Sequence, residues 1–363
     1  MTRWAAEAAA PLLGTRSGAS GTVVALRLGD ERVFLTEGRT AHVGGDPVDA
    51  DTRFEIGSLT KVLTALLLAE QAARGEVAHD DPVSRFLPPG TGPRPRGAPM
   101  TLLHLATHTS GLPRLPPGLL VSGRARWLTN PYAAFSHDDL LRAVRRTRPR
   151  FEPGSRLRYS NFAVGLLGHL LVRAADAADA QAADPHGTDA YGTGAACCYE
   201  SLLTARVLHP LGLLRTDCAD GLPQATGYWH GRARPAWRIP GLPAAGAARS
   251  SGRDLLHLLD ALIDPGTAAG PSLQAGLADV IRPRLAVPRG TRRLGLIWNI
   301  QPRPGHDLYH HSGGTRGFSS FAGFSPQSEV ALVALTNTAP AMNSTFIQRA
   351  YDALGALALL RTR

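Results

Sequence analysis

The alternation of apolar and polar positions divides the chain into strand-rich ends and a helical middle. Thr22–Leu28 and Arg32–Thr36 are β-rich runs joined by Gly29-Asp30-Glu31, which predicts a hairpin. From Phe54 to Gly75 the period changes. Gly57-Ser58 reads as a turn opening a helix, good helix formers dominate Lys61–Ala73, and Gly75 sits where a helix stops. Val62, Leu63, Ala65, Leu66, Leu67, Leu68 and Ala69 leave almost no polar face, so this helix is expected to be buried all round. A loop rich in Pro and Gly runs from Pro88 to Pro99. Helices are then predicted at Thr101–Thr107, Asp138–Arg146 behind Ser136 or His137, Phe162–Ala175, Tyr199–His209 and Ser251–Leu262.

Leu115–Pro131 has no clear period and reads as a loop bordering a site. Leu222–Gly246 is a second long loop region. Asp176–Cys197 is low in complexity and reads as a surface insertion of disordered composition. Past it, Leu294–Ile300, Leu308–His311, Phe318–Phe324 and Val330–Thr336 predict antiparallel strands, and Pro340–Leu360 a closing helix. The economical arrangement is an α+β fold. One antiparallel sheet domain is built from both ends, residues 1–95 and 288–363, and a mostly helical domain, residues 96–287, is inserted between them, with the surface insertion at 176–197.

Composition narrows the classes. With 363 residues, 44% hydrophobic and 19% charged, the chain can bury a large core. No stretch approaches eighteen apolar residues, so no membrane span is expected. The first residues make a poor signal peptide and a fair amphipathic helix, so a cytoplasmic location is expected. Cys197, Cys198 and Cys218 are odd in number and two are adjacent, which implies no disulfide framework. The net charge of +10 raises nucleic acid as a partner. The arginines are mostly dispersed, however, and the cluster from Arg142 to Arg158 carries no aromatic interleaving and no helix-turn-helix or zinc pattern. No nucleic acid or membrane partner is therefore expected. The cluster reads as a solvated face, or as a positive funnel toward a carboxylate-bearing small molecule, since it leads into Tyr159.

Candidate chemistry starts from Lys61, the only lysine among 39 Lys and Arg residues. Lysine loses its proton when desolvated; arginine effectively does not. Ser58 lies three positions earlier, on the same helix face, where the macrodipole favours an alkoxide. A neutral amine beside a serine hydroxyl is a base for nucleophilic catalysis; the alternative is a lysine snorkelling to the surface. Two further groups stand out. Tyr159-x-Asn161 opens a second apolar helix, where a packed aromatic and an N-cap are the plainer readings. His311-Ser312-Gly313-Gly314 ends a strand, where Gly313-Gly314 also suits a turn. His306, His310 and His311 raise metal, but strand neighbours point to opposite faces and no carboxylate is close. Neither metal nor cofactor is expected.

These three motifs, in this order, resemble the serine β-lactamase and penicillin-binding-protein superfamily, on the branch of class C β-lactamases, D,D-peptidases and related esterases. Phe54-Glu55-Ile56-Gly57, Leu105-Ala106-Thr107-His108-Thr109-Ser110-Gly111-Leu112 and His209-Pro210-Leu211-Gly212 fit as well, and the likeness covers about residues 20–340. It implies a three-layer α/β/α sheet domain and a serine hydrolase or acyltransferase. Ser58 would be acylated, and Lys61 and Tyr159 together would take its proton. Asn161 would bind the substrate amide, and the N–H groups of Ser58 and Gly314 would form an oxyanion hole with Ser312 and Gly313 beside it. His311 stands where true β-lactamases carry the lysine of Lys-Thr-Gly, and it would hold a substrate carboxylate only when protonated. Ester or amide hydrolysis of a small acyl substrate is the leading expectation. Alternatives are a biosynthetic acyltransferase or peptide cyclase, with a carrier protein as possible partner, and a penicillin-binding sensor that acylates without turnover. An α/β-hydrolase would need Gly-x-Ser-x-Gly, which no serine here has.

Overall fold

The computed structural model describes residues 3–13, 21–94, 96–119, 129–183, 198–219, 221–287, 290–340 and 345–361. Its strands are Thr22–Leu28 (β1), Glu31–Glu37 (β2), Phe54–Glu55 (β3), Gly227–Trp229 (β4), Arg232–Arg234 (β5), Arg249–Ser250 (β6), Leu285–Ala286 (β7), Arg293–Leu294 (β8), Asn299–Arg303 (β9), His306–Gly314 (β10), Ser319–Ser325 (β11) and Val330–Thr336 (β12). Eight of them form one antiparallel sheet in the order β2-β1-β12-β11-β10-β9-β8-β7. The hairpin at Gly29 forms as expected, with Thr22 opposite Glu37, while the other edge of β1 pairs Thr22 with Thr336 and Leu28 with Val330.

β1 is apolar from Val23 to Leu26 and β12 from Val330 to Leu335, and the pleat sends alternate residues to two cores. Val23, Ala25, Val333 and Leu335 join the larger core, whereas Val24, Leu26, Leu332 and Ala334 face the other side. That second side is covered by Arg3–Ala9 (α1) and Phe346–Arg361 (α9), through Ala5, Ala9, Leu354 and Leu357. The larger core holds Thr60–Ala73 (α2), Leu102–Ala106 (α3), His137–Arg146 (α4), Asn161–Ala183 (α5), Tyr199–Leu203 (α6), Gly252–Ile263 (α7) and Pro271–Val280 (α8). The result is a mixed α/β fold with helices on both faces of a large antiparallel sheet.

α2 is buried from Thr60 to Gln71, as its lack of a polar face requires. Capping boxes fix the starts of α3, with Thr101 and His104, and of α4, with Ser136 and Asp139. Ser251 caps α7. This helix lies inside the stretch read as an inserted domain, yet it covers the sheet: Asp260 accepts from Arg27 at 2.9 Å and Arg32 at 2.8 Å.

Several elements differ from expectation. The run Leu294–Ile300 is not one strand. It turns at Gly295–Trp298, where Ile297 takes a φ of +67° and its N–H donates to Ala106 O at 3.0 Å. Tertiary contact outweighs β propensity there. α6 opens into a π-helical turn over Thr204–Leu208. α5 continues to Ala183, eight residues into the stretch read as an insertion, and 184–197 lies outside the described residues. α8 had no counterpart in the sequence pattern. Among the described residues no helix is long and apolar enough to cross a membrane.

Candidate active site

The turn that carries Ser58 begins at β3. Ile56 leads into a single 3₁₀ turn, Gly57–Leu59, that runs on into α2. Gly57 takes a φ of +49°, and a Cβ there would lie 2.7 Å from both Gly314 N and Gly314 O. A Cβ on Gly313 would lie 2.0 Å from Ile56 O and 2.9 Å from Ser58 N. Two glycines thus let the serine turn rest directly on the end of β10, which carries the N–H groups of Ser58 and Gly314 to one rim. The turn is held by Thr60 Oγ1 donating to Gly57 O at 2.7 Å and Ser320 Oγ donating to Ile56 O at 2.8 Å.

Lys61 is not a snorkelling residue: it is fully buried. Its Nζ donates to Ser58 Oγ at 2.9 Å and to Ala245 O at 2.5 Å. Burial pulls the amine below its ordinary pKa, the charge of Arg114 acts in the same direction, and Tyr159 opposes both. The Tyr159 hydroxyl lies 2.7 Å from Ser58 Oγ, and Lys61 Nζ lies 5.1 Å from its ring centroid. One oxygen therefore has an amine and a phenol within hydrogen-bond reach.

Asn161 is the first residue of α5, but it does not cap the helix. Ser160 does so, with its Oγ accepting from Ala163 N at 2.9 Å and donating to Pro113 O at 2.7 Å. Asn161 Nδ2 donates instead to the Tyr132 hydroxyl at 2.9 Å, which leaves its Oδ1 buried without a partner. On β10, neighbouring histidines part as strand geometry demands. His310 lies against Phe321 and the α9 residue Tyr351, while His311 lines the cleft. Burial, then Lys61, then His310 push the His311 imidazole down to about 3, so it is uncharged near neutral pH.

These residues share one cleft of about 990 Å³, with Ser58, Tyr159, Asn161 and His311 to Gly314 all on its walls. Leu115 and Pro131 line it too, so the unperiodic loop does border the site; its residues 120–128 lie outside the described set.

Other contributors escaped the sequence reading. His108 is buried with a φ of +58°, and its ring lies 4.5 Å from that of Tyr159. Its Nδ1 accepts from Ser160 N at 3.3 Å, and burial, Lys61 and His311 push its pKa well down. Glu55 is buried behind the nucleophile turn. It accepts from Thr315 Oγ1 and Trp237 N, each at 2.7 Å, and from Gln224 Nε2 at 3.2 Å, tying β3 to the end of β10 and to the Trp237 wall. Burial raises its pKa against those three donors. The signal was a single charged residue in the apolar run Phe54–Ile56. Among the described residues no three His, Cys, Asp or Glu side chains gather as a metal site.

The buried histidines set a pH dependence of stability. His311 and His169 are depressed to about 3, His310 to about 4, and His108 lies well below its ordinary value. Below the unfolded pKa of ~6.5 the unfolded chain takes up protons that the folded chain refuses, so stability falls as pH falls, by about 1.4 kcal/mol per pH unit for each such histidine. Urea midpoints should drop steadily between pH 6.5 and 5, before most carboxylates titrate, and His310→Phe should flatten the slope. A midpoint independent of pH in that window would contradict the burial of these rings.

A serine hydroxyl held between a desolvated amine and a phenol, with two backbone N–H groups on the adjoining rim, is the site of a serine hydrolase. Comparison with known proteins gives the family. The model of the Beta-lactamase family matches residues 5–357, and the chain belongs to that family. It is 28% identical to a beta-lactamase of Escherichia coli (strain K12), over 87% of this chain and 84% of that protein. It is 26% identical to the D-alanyl-D-alanine-carboxypeptidase/endopeptidase AmpH of the same organism, over 89% and 81%. Similarity to esterase EstB of Burkholderia gladioli, at 32% identity, covers 42% of this chain and 40% of that protein.

Proposed function

We propose that the protein hydrolyses a small ester or amide through an acyl-enzyme on Ser58. As Ser58 Oγ attacks the carbonyl carbon, its proton passes to the Lys61–Tyr159 pair, and the carbonyl oxygen becomes an oxyanion facing the N–H groups of Ser58 and Gly314. Collapse breaks the bond to the leaving group, which departs with the proton. Water then attacks the acyl-enzyme, giving up a proton to the same pair; the bond to Ser58 Oγ breaks, the pair returns that proton to Oγ, and the acid leaves. Tyr159 serves both half-reactions because none of the described residues lining the cleft is an Asp or Glu. The observation that carries this reading is the contact of both Lys61 Nζ and Tyr159 Oη with one oxygen, Ser58 Oγ, with the amine wholly buried.

Two relatives carry the name beta-lactamase or carboxypeptidase, but His311 favours an esterase-like substrate. As a neutral group it brings no charge to the carboxylate of a β-lactam or a peptide C-terminus. Intact mass after exposure to a p-nitrophenyl short-chain ester and, separately, a penicillin tests the proposal, with Ser58→Ala alongside. Ester turnover is expected, lost in the variant, with little or no penicillin adduct. A long-lived penicillin adduct would instead mark a penicillin-binding sensor. Transfer of the acyl group to an added alcohol or amine in preference to water would mark an acyltransferase. Labelling that survives in Ser58→Ala would overturn the mechanism.

A further inference from the structure

Recognition of negative charge in this cleft falls to arginine. His311 is uncharged, and the only cation on the catalytic oxygen, Lys61, is buried and pushed toward its neutral form. Among the described residues two arginines line the cleft: Arg114, in the loop after α3, and Arg316, two residues past Gly314. No Asp or Glu lines the cleft among the described residues.

Arg114 is placed and unspent. Its carbonyl accepts the N–H of Asn161 at 2.9 Å, which ties it to the start of α5, and its guanidinium carbon lies 5.7 Å from the centroid of the Tyr159 ring. Many arginines elsewhere meet a carboxylate, as Arg27 meets Asp260 at 2.9 Å and Arg206 meets Glu76 at 3.0 Å. Arg114 forms no such ion pair among the described residues. Burial raises the pKa of the Tyr132 phenol, while Asn161, Arg114 and Arg316 all pull it down. Both guanidinium groups therefore act on the wall that Tyr132 and Asn161 make. Asn161, held by the Tyr132 hydroxyl, leaves its Oδ1 buried without a partner in this wall.

We propose that Arg114 forms an anion subsite beside Tyr132 and Asn161, with Arg316 adding to its positive field, and that the acyl donor carries a carboxylate on its acyl portion, as in a monoester or monoamide of a short dicarboxylic acid. This rests on acyl transfer at Ser58. Guanidinium is a planar, permanently charged fork suited to carboxylate, and the Arg114 guanidinium meets no carboxylate among the described residues. With His311 uncharged on β10, the positive charge among the described lining residues lies on the wall beside α5.

The test compares kcat/KM for mono-p-nitrophenyl glutarate and p-nitrophenyl pentanoate, which have acyl chains of equal length and the same leaving group. Acetyl esters of 3-hydroxybenzoate and of phenol place a carboxylate on the leaving group instead. Wild type should prefer the glutarate by about tenfold or more, the worth of one charge-assisted hydrogen bond. The ratio should fall toward one in Arg114→Gln and decline in Arg316→Gln. It should also stay flat from about pH 5.5 to 8, because arginine does not titrate there and a histidine would. A ratio near one in wild type, a ratio unchanged by Arg114→Gln, or a preference confined to the benzoate leaving group would overturn the subsite. Absence of any Ser58-dependent turnover or adduct with all four esters would overturn the acyl-transfer reading itself.

Discussion

Lys61→Met should give a protein that folds at least as well as wild type and has lost kcat/KM by on the order of 10²–10⁴-fold, the usual worth of a general base. Lys61 is wholly buried between Ser58 Oγ and Ala245 O. A buried amine is costly to the fold, and a thioether of similar length removes that cost while leaving Ala245 O without its donor. Stability and activity then move apart, as they do where a site stores unfavourable burial for its chemistry. Thermal midpoint and acylation rate, measured on the same sample, check this. A variant that still acylates Ser58 within about tenfold of the wild-type rate would remove Lys61 from the mechanism and leave Tyr159 as sole base.

The second large effect is expected at Gly313→Ala. The added methyl would meet Ile56 O at 2.0 Å, Ser320 Oγ at 2.6 Å and Ser58 N at 2.9 Å. Only the serine can swing aside, so the nucleophile turn and β10 must part. The Ser58 and Gly314 N–H groups then no longer converge. Loss of one oxyanion donor costs about 2.7–4 kcal/mol in the transition state, or about 10²–10³ in kcat, and forcing the backbones apart costs roughly 1–3 kcal/mol of stability. Gly75→Ala is the control. Gly75 has a φ of +78° but nothing within 4 Å of a Cβ, so that change strains the chain without touching the site. A Gly313→Ala enzyme with unchanged kcat would show that these two amides do not hold the oxyanion.

The contact of Lys61 with Ser58 was legible because the chain spends one lysine and places it three residues after a serine, at the head of a helix with no polar face. Tyr159 and Asn161 were legible as members of an ordered set of motifs, since alone each has a plainer structural use. The central strands β1 and β12 were legible from uninterrupted apolar runs. Arg114 and Glu55 were not, because what they do depends on backbone that returns from far away: Thr315 and Trp237 reach Glu55 from 260 and 182 positions off. His311 was visible as a departure, but its lack of charge comes from burial beside Lys61, which only the fold creates. The turn at Ile297 failed for a similar reason. An apolar run reads as strand until a distant carbonyl, that of Ala106, claims its N–H.

The pairing of β1 with β12 has a consequence for synthesis. Thr22 emerges from the ribosome early and its partner Thr336 about 300 residues later. At about 5–20 residues per second, a nascent chain waits roughly 15–60 s with one edge of its central strand open. Ser58 waits almost as long for Gly314. Contacts of such high sequence separation make folding slow and leave apolar edges available to neighbouring chains. Every polypeptide released before β12 is complete thus carries an unpaired hydrophobic strand. Chaperone supply in the expression host should therefore raise the yield of folded protein.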